Sequence, residues 1–160
     1  KVLSHYDNAT LYNDSIVAQI VKRFQKQNAI IIYVPDHGEE CYEENRGFIC
    51  RNHSANIDWP LAHYEFEIPF WIYCSPKYIK NHRDIYRQIR KAKDKRFMTD
   101  ALPHLLLYLA GIETPTYKEE YNILSPKYNE MRPRILKNSA DYDQLRDEYY
   151  KKQEKKGAKK

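Results

Sequence analysis

An aspartate and a histidine stand side by side where an apolar run ends. In AIIIYVPDHGEE, Asp36 and His37 follow a segment rich in β-branched residues, and Gly38 comes next. A carboxylate oxygen and a neutral imidazole nitrogen together suit zinc, and also manganese. Adjacent strand residues point to opposite faces, so both side chains can serve one ion only if the chain turns, which Gly38 permits. A strand-ending turn without a ligand is the alternative interpretation.

The elements before this turn predict half of an α/β crossover. Residues 7–28 carry apolar side chains at spacings of three and four, which is typical of a helix with one apolar stripe. The continuously apolar residues 29–35 predict a strand buried on both faces, as in a parallel sheet. Ligands of such sheets bind beyond the carboxyl ends of the strands, which is the position of Asp36 and His37. The stripe consists of Tyr12, Ile16, Val17, Ile20, Val21 and Phe24.

The chain after the turn predicts a loop and a second strand. Residues 39–58 are polar, acidic and rich in turn formers, which favours a long functional or disordered loop. YEFEIPFWIYCSP, residues 64–76, alternates like a strand, and Pro69 marks an edge or a bulge. Further patterns predict helices over residues 84–93 and 99–112 and an extended surface segment over residues 115–145.

Length and charge limit the possible partners. The 160 residues suit one domain or a piece of a larger one, and 42% hydrophobic residues are enough for a core. The last ten residues, KKQEKKGAKK, carry six lysines and one glutamate, which account for the net charge of +5. We therefore predict a domain over residues 1–150, a disordered basic tail over residues 151–160, and no binding of nucleic acid by the folded part.

The three cysteines do not predict a structural zinc site. Cys41, Cys50 and Cys74 show no CxxC spacing. Cys41 and Cys50 lie nine residues apart in the polar loop and could pair in an oxidising compartment, or stay reduced. Cys74 lies in an apolar run, where a thiol is expected to be buried and inert.

Three blocks of this sequence resemble a known family. YDNATLYNDSIVAQIVKRFQKQNAIIIYVPDHGEE resembles a segment of the alkaline phosphatase superfamily, and within it the sulfatase-like phosphoethanolamine transferases. YEFEIPFWIYCSPKYIKNH and KRFMTDALPHLLLYLAGI resemble the next two blocks, in the same order, so that the similarity covers roughly residues 4–145. The form FEIPFW is similar to the branch that modifies the lipopolysaccharide core or other envelope glycans.

The resemblance implies a fold and a metal site. The fold would be an alkaline-phosphatase-like, mostly parallel sheet flanked by helices, present here only as its C-terminal part. Asp36 and His37 would be ligands of a zinc-dependent active site, with manganese or calcium as alternatives. The family's other ligands, an acidic residue and a nucleophilic threonine, lie upstream of the DHGE block. The nucleophile is therefore expected outside this chain, and the fragment alone is expected to be inactive.

Three further residues are expected to bind substrate. His53, in CRNHS, stands near a loop histidine of the relatives. Many relatives have a histidine where Glu67 stands in FEIP, and His63, four residues earlier, could take its place. A solvated surface histidine is the alternative for both His53 and His63. Glu67 is harder to explain as a residue without a role in the site, because a carboxylate at the start of a buried strand needs a partner.

The activity implied is the movement of phosphoethanolamine from a phospholipid to the threonine and then to a hydroxyl of lipid A, lipopolysaccharide or another envelope glycan. The family carries its catalytic domain in the periplasm, anchored in the bacterial inner membrane by helices that would precede this chain. The rest of the domain would also be supplied by that missing N-terminal region. The alternatives are a sulfatase or phosphodiesterase-type hydrolase of the same superfamily, and a non-catalytic α/β interaction module.

Overall fold

The protein mixes helices and short strands. A computed structural model describes residues 1–50, 56–137 and 139–157. The helices are α1 (Val2–Phe24), α2 (Trp59–Phe66), α3 (Pro76–Asn81), α4 (Arg83–Ala92), α5 (Leu102–Ala110) and α6 (Tyr142–Gly157). The strands are β1 (Ile30–Tyr33), β2 (Glu40–Cys41), β3 (Phe48–Cys50), β4 (Trp71–Cys74), β5 (Ile135–Leu136) and β6 (Ala140–Asp141). Within these residues, no helix is both long enough and apolar enough to cross a membrane.

The chain divides into two compact units. The first unit comprises Lys1–Asp7, Tyr33–Trp71 and Pro133–Lys160, and the second comprises Asn8–Ile32 and Ile72–Arg132. Strand β1 is hydrogen-bonded to β4, whereas β2 pairs with β3 and β5 with β6, both antiparallel.

Helix α2 is the centre of the first unit. Asp58 caps it, because its Oδ1 accepts a hydrogen bond of 3.0 Å from the Leu61 amide, and Pro60 stands in the first turn. The β5–β6 hairpin leads directly into α6, which packs on α2. The core of this unit contains the buried residues Trp59, Ala62, Leu136 and Tyr142.

Ser75 joins the strands of the second unit. Its hydroxyl donates to the Gln27 carbonyl at 2.5 Å and accepts from the amides of Ala29 at 3.2 Å and Tyr78 at 3.1 Å. Its own amide donates to the Ala29 carbonyl at 3.0 Å. One fully buried serine therefore aligns the start of β1 with the end of β4 and also caps α3. Helix α5 ends at Gly111, which adopts the left-handed conformation that glycine tolerates.

The prediction of a strand over residues 64–76 is wrong in its first half. Residues 64–66 belong to α2, and β4 starts only at Trp71. Asp58 and Pro60 start a helix whose buried side chains recur at helical spacing, and this tertiary burial overrides the local alternation. The buried residues of α2 are Trp59, Leu61, Ala62 and Glu65.

Three other predictions also need correction. The long loop over residues 39–58 contains the β2–β3 pair, and the segment over residues 115–145 contains the β5–β6 hairpin and the start of α6. Residues 151–157, predicted as part of a disordered tail, continue α6. Lysine, glutamine and glutamate are good helix formers, so they extend a helix that packing has already started.

The apolar stripe of α1 is largely exposed. Tyr12 is 70% exposed and Leu11 66%, and Ile16, Ile20 and Phe24 also face solvent. Strand β1 is half-buried rather than buried on both faces. In the described part of the chain, β4 is the one strand that pairs with β1. Helix α1 and strand β1 therefore both keep apolar surface that a complete sheet would cover.

We expect the isolated 160-residue chain to self-associate at micromolar concentration, because exposed apolar stripes and unpaired strand edges favour association. Replacing both Tyr12 and Ile16 with lysine should shift it towards monomer in sedimentation velocity. Gln19→Lys combined with Gln25→Lys adds the same charge at exposed polar positions and should leave association unchanged. A monodisperse wild-type monomer would contradict the expectation.

The pairing of Cys41 with Cys50 stays a prediction. The β2–β3 register places Glu40 opposite Cys50 and Cys41 opposite Phe48, which brings the two cysteine backbones onto adjacent strands. The side chain of Cys50 lies outside what the structure describes. In an oxidising compartment the bond should add about 3 kcal/mol to the free energy of unfolding in the chain-entropy model. Thiol labelling of the unreduced, unfolded protein should then modify Cys74 alone, whereas labelling of all three cysteines would refute the pairing.

Candidate metal site

The Asp-His turn begins just after β1. The last residue of β1, Tyr33, stacks on the first residue of β4, Trp71, with ring centroids 5.1 Å apart. Val34 and Pro35 then lead out of the strand to Asp36. The aromatic stack therefore fixes the chain immediately before the turn.

Two hydrogen bonds orient His37 within the turn. Its amide donates to Oδ1 of Asp36 at 3.1 Å, and Nδ1 lies 2.8 Å from the Gly38 carbonyl oxygen. Because a carbonyl only accepts, Nδ1 carries the proton and Nε2 carries the lone pair. Nε2 lies 3.6 Å from Oδ2 of Asp36. The turn thus presents one nitrogen and one oxygen lone pair side by side.

This pair fits two corners of a zinc site. Zinc–ligand distances of about 2.0–2.2 Å in a tetrahedron place neighbouring ligand atoms about 3.4 Å apart, close to the separation found here. A histidine whose other nitrogen donates to a carbonyl is the usual form of a zinc ligand. Among the residues that the structure describes, no further histidine, cysteine, aspartate or glutamate joins Asp36 and His37 to form a group of three possible metal ligands.

Gly38 places the turn against the end of α2. Its amide donates to the Glu65 carbonyl at 2.9 Å. A Cβ atom at this position would lie 2.2 Å from the backbone oxygen of Tyr64, a distance that real side chains do not adopt. Glycine is therefore needed here for a close backbone approach, rather than for the unusual turn conformation that the sequence suggested.

Arg46 holds the chain after the turn to the start of α2. Its Nε lies 3.0 Å from Oε1 of Glu40, which is fully buried, and its Nη1 donates to both oxygens of the cap residue Asp58 at 2.9 and 2.8 Å. Burial raises the pKa of Glu40, and the charge of Arg46 opposes that rise. The segment around the turn is thus attached to both ends of α2. Gly38 bonds to the C-terminal end of the helix, and Arg46 bonds to its N-terminal end.

The expected substrate-binding residues lie partly together. His63 and Glu67 are one helical turn apart, with Nδ1 and Oε1 separated by 3.0 Å. The hydroxyl of Tyr142, a residue that the sequence analysis missed, donates to the same Oε1. Burial alone would raise the pKa of Glu67, but the hydrogen bond from Tyr142, His63 and the charge of Arg134 together lower it. His53 lies outside the described residues.

Glu67 also stands in a different setting from the one predicted. It is not the start of a buried strand but the residue that ends α2, and its amide donates to the His63 carbonyl. Its carboxylate has the partners that a half-buried charge requires. Asp58 followed by Pro60 is a helix-start signal that could have revealed α2 from the sequence.

Comparison with known families identifies the class of this protein. The family model described as sulfatase matches residues 1–112, and the chain belongs to the sulfatase family. Phosphoethanolamine transferase EptC of Escherichia coli K12 is 32% identical over 148 residues, 88% of this chain and 24% of that protein. Phosphoethanolamine transferase EptA of Helicobacter pylori is 32% identical over 89 residues, 54% of this chain and 16% of that protein. The predicted resemblance to sulfatase-like phosphoethanolamine transferases is confirmed.

Solved structures give the same fold. The C-terminal periplasmic domain of EptC from Escherichia coli matches with a TM-score of 0.69 and 31% identity, over 88% of this chain and 40% of that chain. A zinc complex of that domain matches with the same TM-score and identity. The alkaline-phosphatase-like α/β fold is thus confirmed. The chain spans about a quarter of the length of the EptC proteins that it matches.

We expect Gly38→Ala to weaken the candidate metal site. The added methyl group collides with the Tyr64 carbonyl, so the turn must lift off α2, at a cost of about 1–3 kcal/mol in the free energy of unfolding. In the complete domain, denaturant unfolding should show this loss, and zinc titration should show weaker binding. Gly157→Ala is the matched control, because among the described residues no atom beyond its own helix backbone and chain neighbours lies within 4 Å of the added methyl group. Unfolding and zinc affinity equal to wild type in Gly38→Ala would show that the close approach does not constrain the turn.

Proposed function

We propose that this chain is the C-terminal part, residues 1–150, of the catalytic domain of a zinc-dependent phosphoethanolamine transferase of the bacterial envelope. The observation that supports it is the Asp36–His37 turn, with a carboxylate oxygen and an imidazole nitrogen 3.6 Å apart. The turn belongs to a chain of the sulfatase family that is similar to EptC over 88% of its residues. The turn supplies metal ligands, and the similarity favours this reaction over other metal-dependent hydrolyses.

Zinc would be held by Oδ2 of Asp36 and Nε2 of His37. An acidic residue and the nucleophilic threonine, both outside this chain, would complete the site. The imidazole nitrogen favours zinc over calcium, and the zinc complex of the EptC domain supports that choice over manganese. When bound, zinc would lower the pKa of the threonine hydroxyl and neutralise charge on the phosphoryl group.

The donor would be a phospholipid and the acceptor a hydroxyl of lipid A or another envelope glycan. One similar protein is the Kdo(2)-lipid A phosphoethanolamine 7''-transferase of Escherichia coli K12, 27% identical over 99 residues. The EptC domain that this chain resembles is periplasmic, which supports a periplasmic position facing the inner membrane. His53 and His63 would contact the phosphoryl group or the accepting hydroxyl, with Glu67 beside His63.

Asp36→Asn in the complete protein should abolish transfer and leave the fold intact. The change keeps the shape of the side chain but removes the negative charge that binds zinc; even the loss of an outer partner typically costs about 10–100-fold in metal affinity. Metal analysis should show the loss of zinc, and mass spectrometry should show no phosphoethanolamine on the acceptor.

Asp94→Asn is the matched control, since the side chain of Asp94 is 84% exposed against 86% for Asp36 and, within the described part of the chain, forms an ion pair with the neighbouring Lys93. It should keep both zinc and activity. Activity of Asp36→Asn near that of Asp94→Asn would refute the assignment. Equal zinc content in the wild type and in the double variant Asp36→Ala with His37→Ala would favour a non-catalytic module.

A further inference from the structure

Two side chains converge on one carboxylate oxygen at the end of α2. Oε1 of Glu67 accepts from the Tyr142 hydroxyl and lies 3.0 Å from Nδ1 of His63. The ring of His63 stacks on Trp59, with centroids 5.6 Å apart and planes at 18°. His63 is therefore fixed on one face by an indole and at one edge by a carboxylate.

This setting selects one tautomer of His63. Nδ1 of His63 is buried, and its contact with Glu67 departs from the ideal direction of a hydrogen bond. If Nδ1 carried a lone pair, however, that lone pair would face the Glu67 carboxylate oxygen 3.0 Å away. Repulsion between the two disfavours that form, so the proton belongs on Nδ1. Nε2 then carries the lone pair and makes no hydrogen bond within the described part of the chain. The side chain is 43% exposed, so a ligand can reach it.

Tyr142 is itself held firmly. Its amide donates to the Arg134 carbonyl at 2.9 Å, and the Arg134 guanidinium lies 4.2 Å from the centre of its ring. The Arg134 guanidinium in turn donates two hydrogen bonds, of 3.1 and 2.6 Å, to the Asp143 carboxylate. Burial, and then the hydrogen bond to Glu67, raise the pKa of Tyr142, so its hydroxyl stays protonated and donates.

We propose that Glu67 and Tyr142 are positioning residues, which hold His63 in the Nδ1–H tautomer so that Nε2 can accept a proton from the acceptor hydroxyl. Glu67 thereby supports His63 rather than binding substrate itself. Tyr142, on α6, gives the C-terminal segment a part in the site.

The role of Nε2 rests on the proposed function. In the second half of the transfer, the acceptor oxygen forms a bond to phosphorus while the bond from phosphorus to the threonine oxygen breaks. The threonine oxygen leaves with the electron pair, and the acceptor hydroxyl loses its proton. Nε2 of His63 takes that proton, because in this tautomer it is the nitrogen with a lone pair.

The tautomer can be measured without substrate. Nitrogen-15 chemical shifts of His63 in the complete domain, at a pH where the ring is neutral, should show protonated Nδ1 in the wild type. Glu67→Gln should keep this form, since the Tyr142 hydroxyl holds the amide oxygen in the Oε1 position. Glu67→Leu, which fills the same space without an acceptor, should lose it. Equal spectra of the glutamine and leucine variants would overturn the inference, because a packing role alone would not distinguish them.

Kinetics test the same residues in the complete protein. Tyr142→Phe removes one hydroxyl and keeps the ring, and it should lower kcat about tenfold with little change in KM, as expected for an outer partner of a reacting group. Tyr149→Phe is the control, since Tyr149 packs in the same aromatic cluster and its hydroxyl makes no hydrogen bond within the described residues. Equal kcat in the two variants would contradict a positioning role for Tyr142.

The two proposals fail in different ways. If the wild type does not transfer phosphoethanolamine while the His63 tautomer depends on Glu67, the proposed function is wrong and the positioning of His63 stands. If transfer occurs but the tautomer does not depend on Glu67, the positioning is wrong and the function stands.

Discussion

The close contact between Gly38 and the end of α2 is the constraint on which the rest of the candidate site depends. The Gly38 amide reaches the Glu65 carbonyl at 2.9 Å, and no side chain could fit between the two backbones. This contact fixes the turn that follows β1, so that the side chains of the adjacent residues Asp36 and His37 lie side by side. The same helix carries His63 and is followed directly by Glu67. A single element therefore carries one candidate pair and contacts the turn that carries the other.

Charge reinforces this arrangement. Arg46 joins the buried Glu40, just after the turn, to Asp58, which caps α2. A buried carboxylate without such a partner would be strongly destabilising, so the ion pair favours the one chain path that brings these segments together. The anionic turn itself remains exposed at Asp36, where a cation can reach it.

The sequence predicted the parts of the site that local patterns encode. Strand β1 and the turn after it followed from a β-branched apolar run and the Asp-His-Gly order. Helix α2 was missed because Tyr64, Phe66, Ile68 and Phe70 alternate like a strand, whereas burial at helical spacing against α6 decides the structure. The bond from Tyr142 to Glu67 joins residues 75 positions apart, and no local period can reveal such a contact. Half-burial of β1 also escaped prediction, because it depends on which neighbours cover the strand.

In the proposed zinc site, the Asp36–His37 turn supplies one nitrogen and one oxygen ligand, and other parts of the protein supply the rest. Anomalous diffraction at the zinc edge, from crystals of the complete domain, tests it most directly. If Asp36 and His37 bind zinc, the map should show a single strong peak within bonding distance of Nε2 of His37 and of a carboxylate oxygen of Asp36, with the remaining ligands outside residues 1–160. Zinc bound through Nδ1 of His37, or at a position that neither side chain reaches, would contradict it.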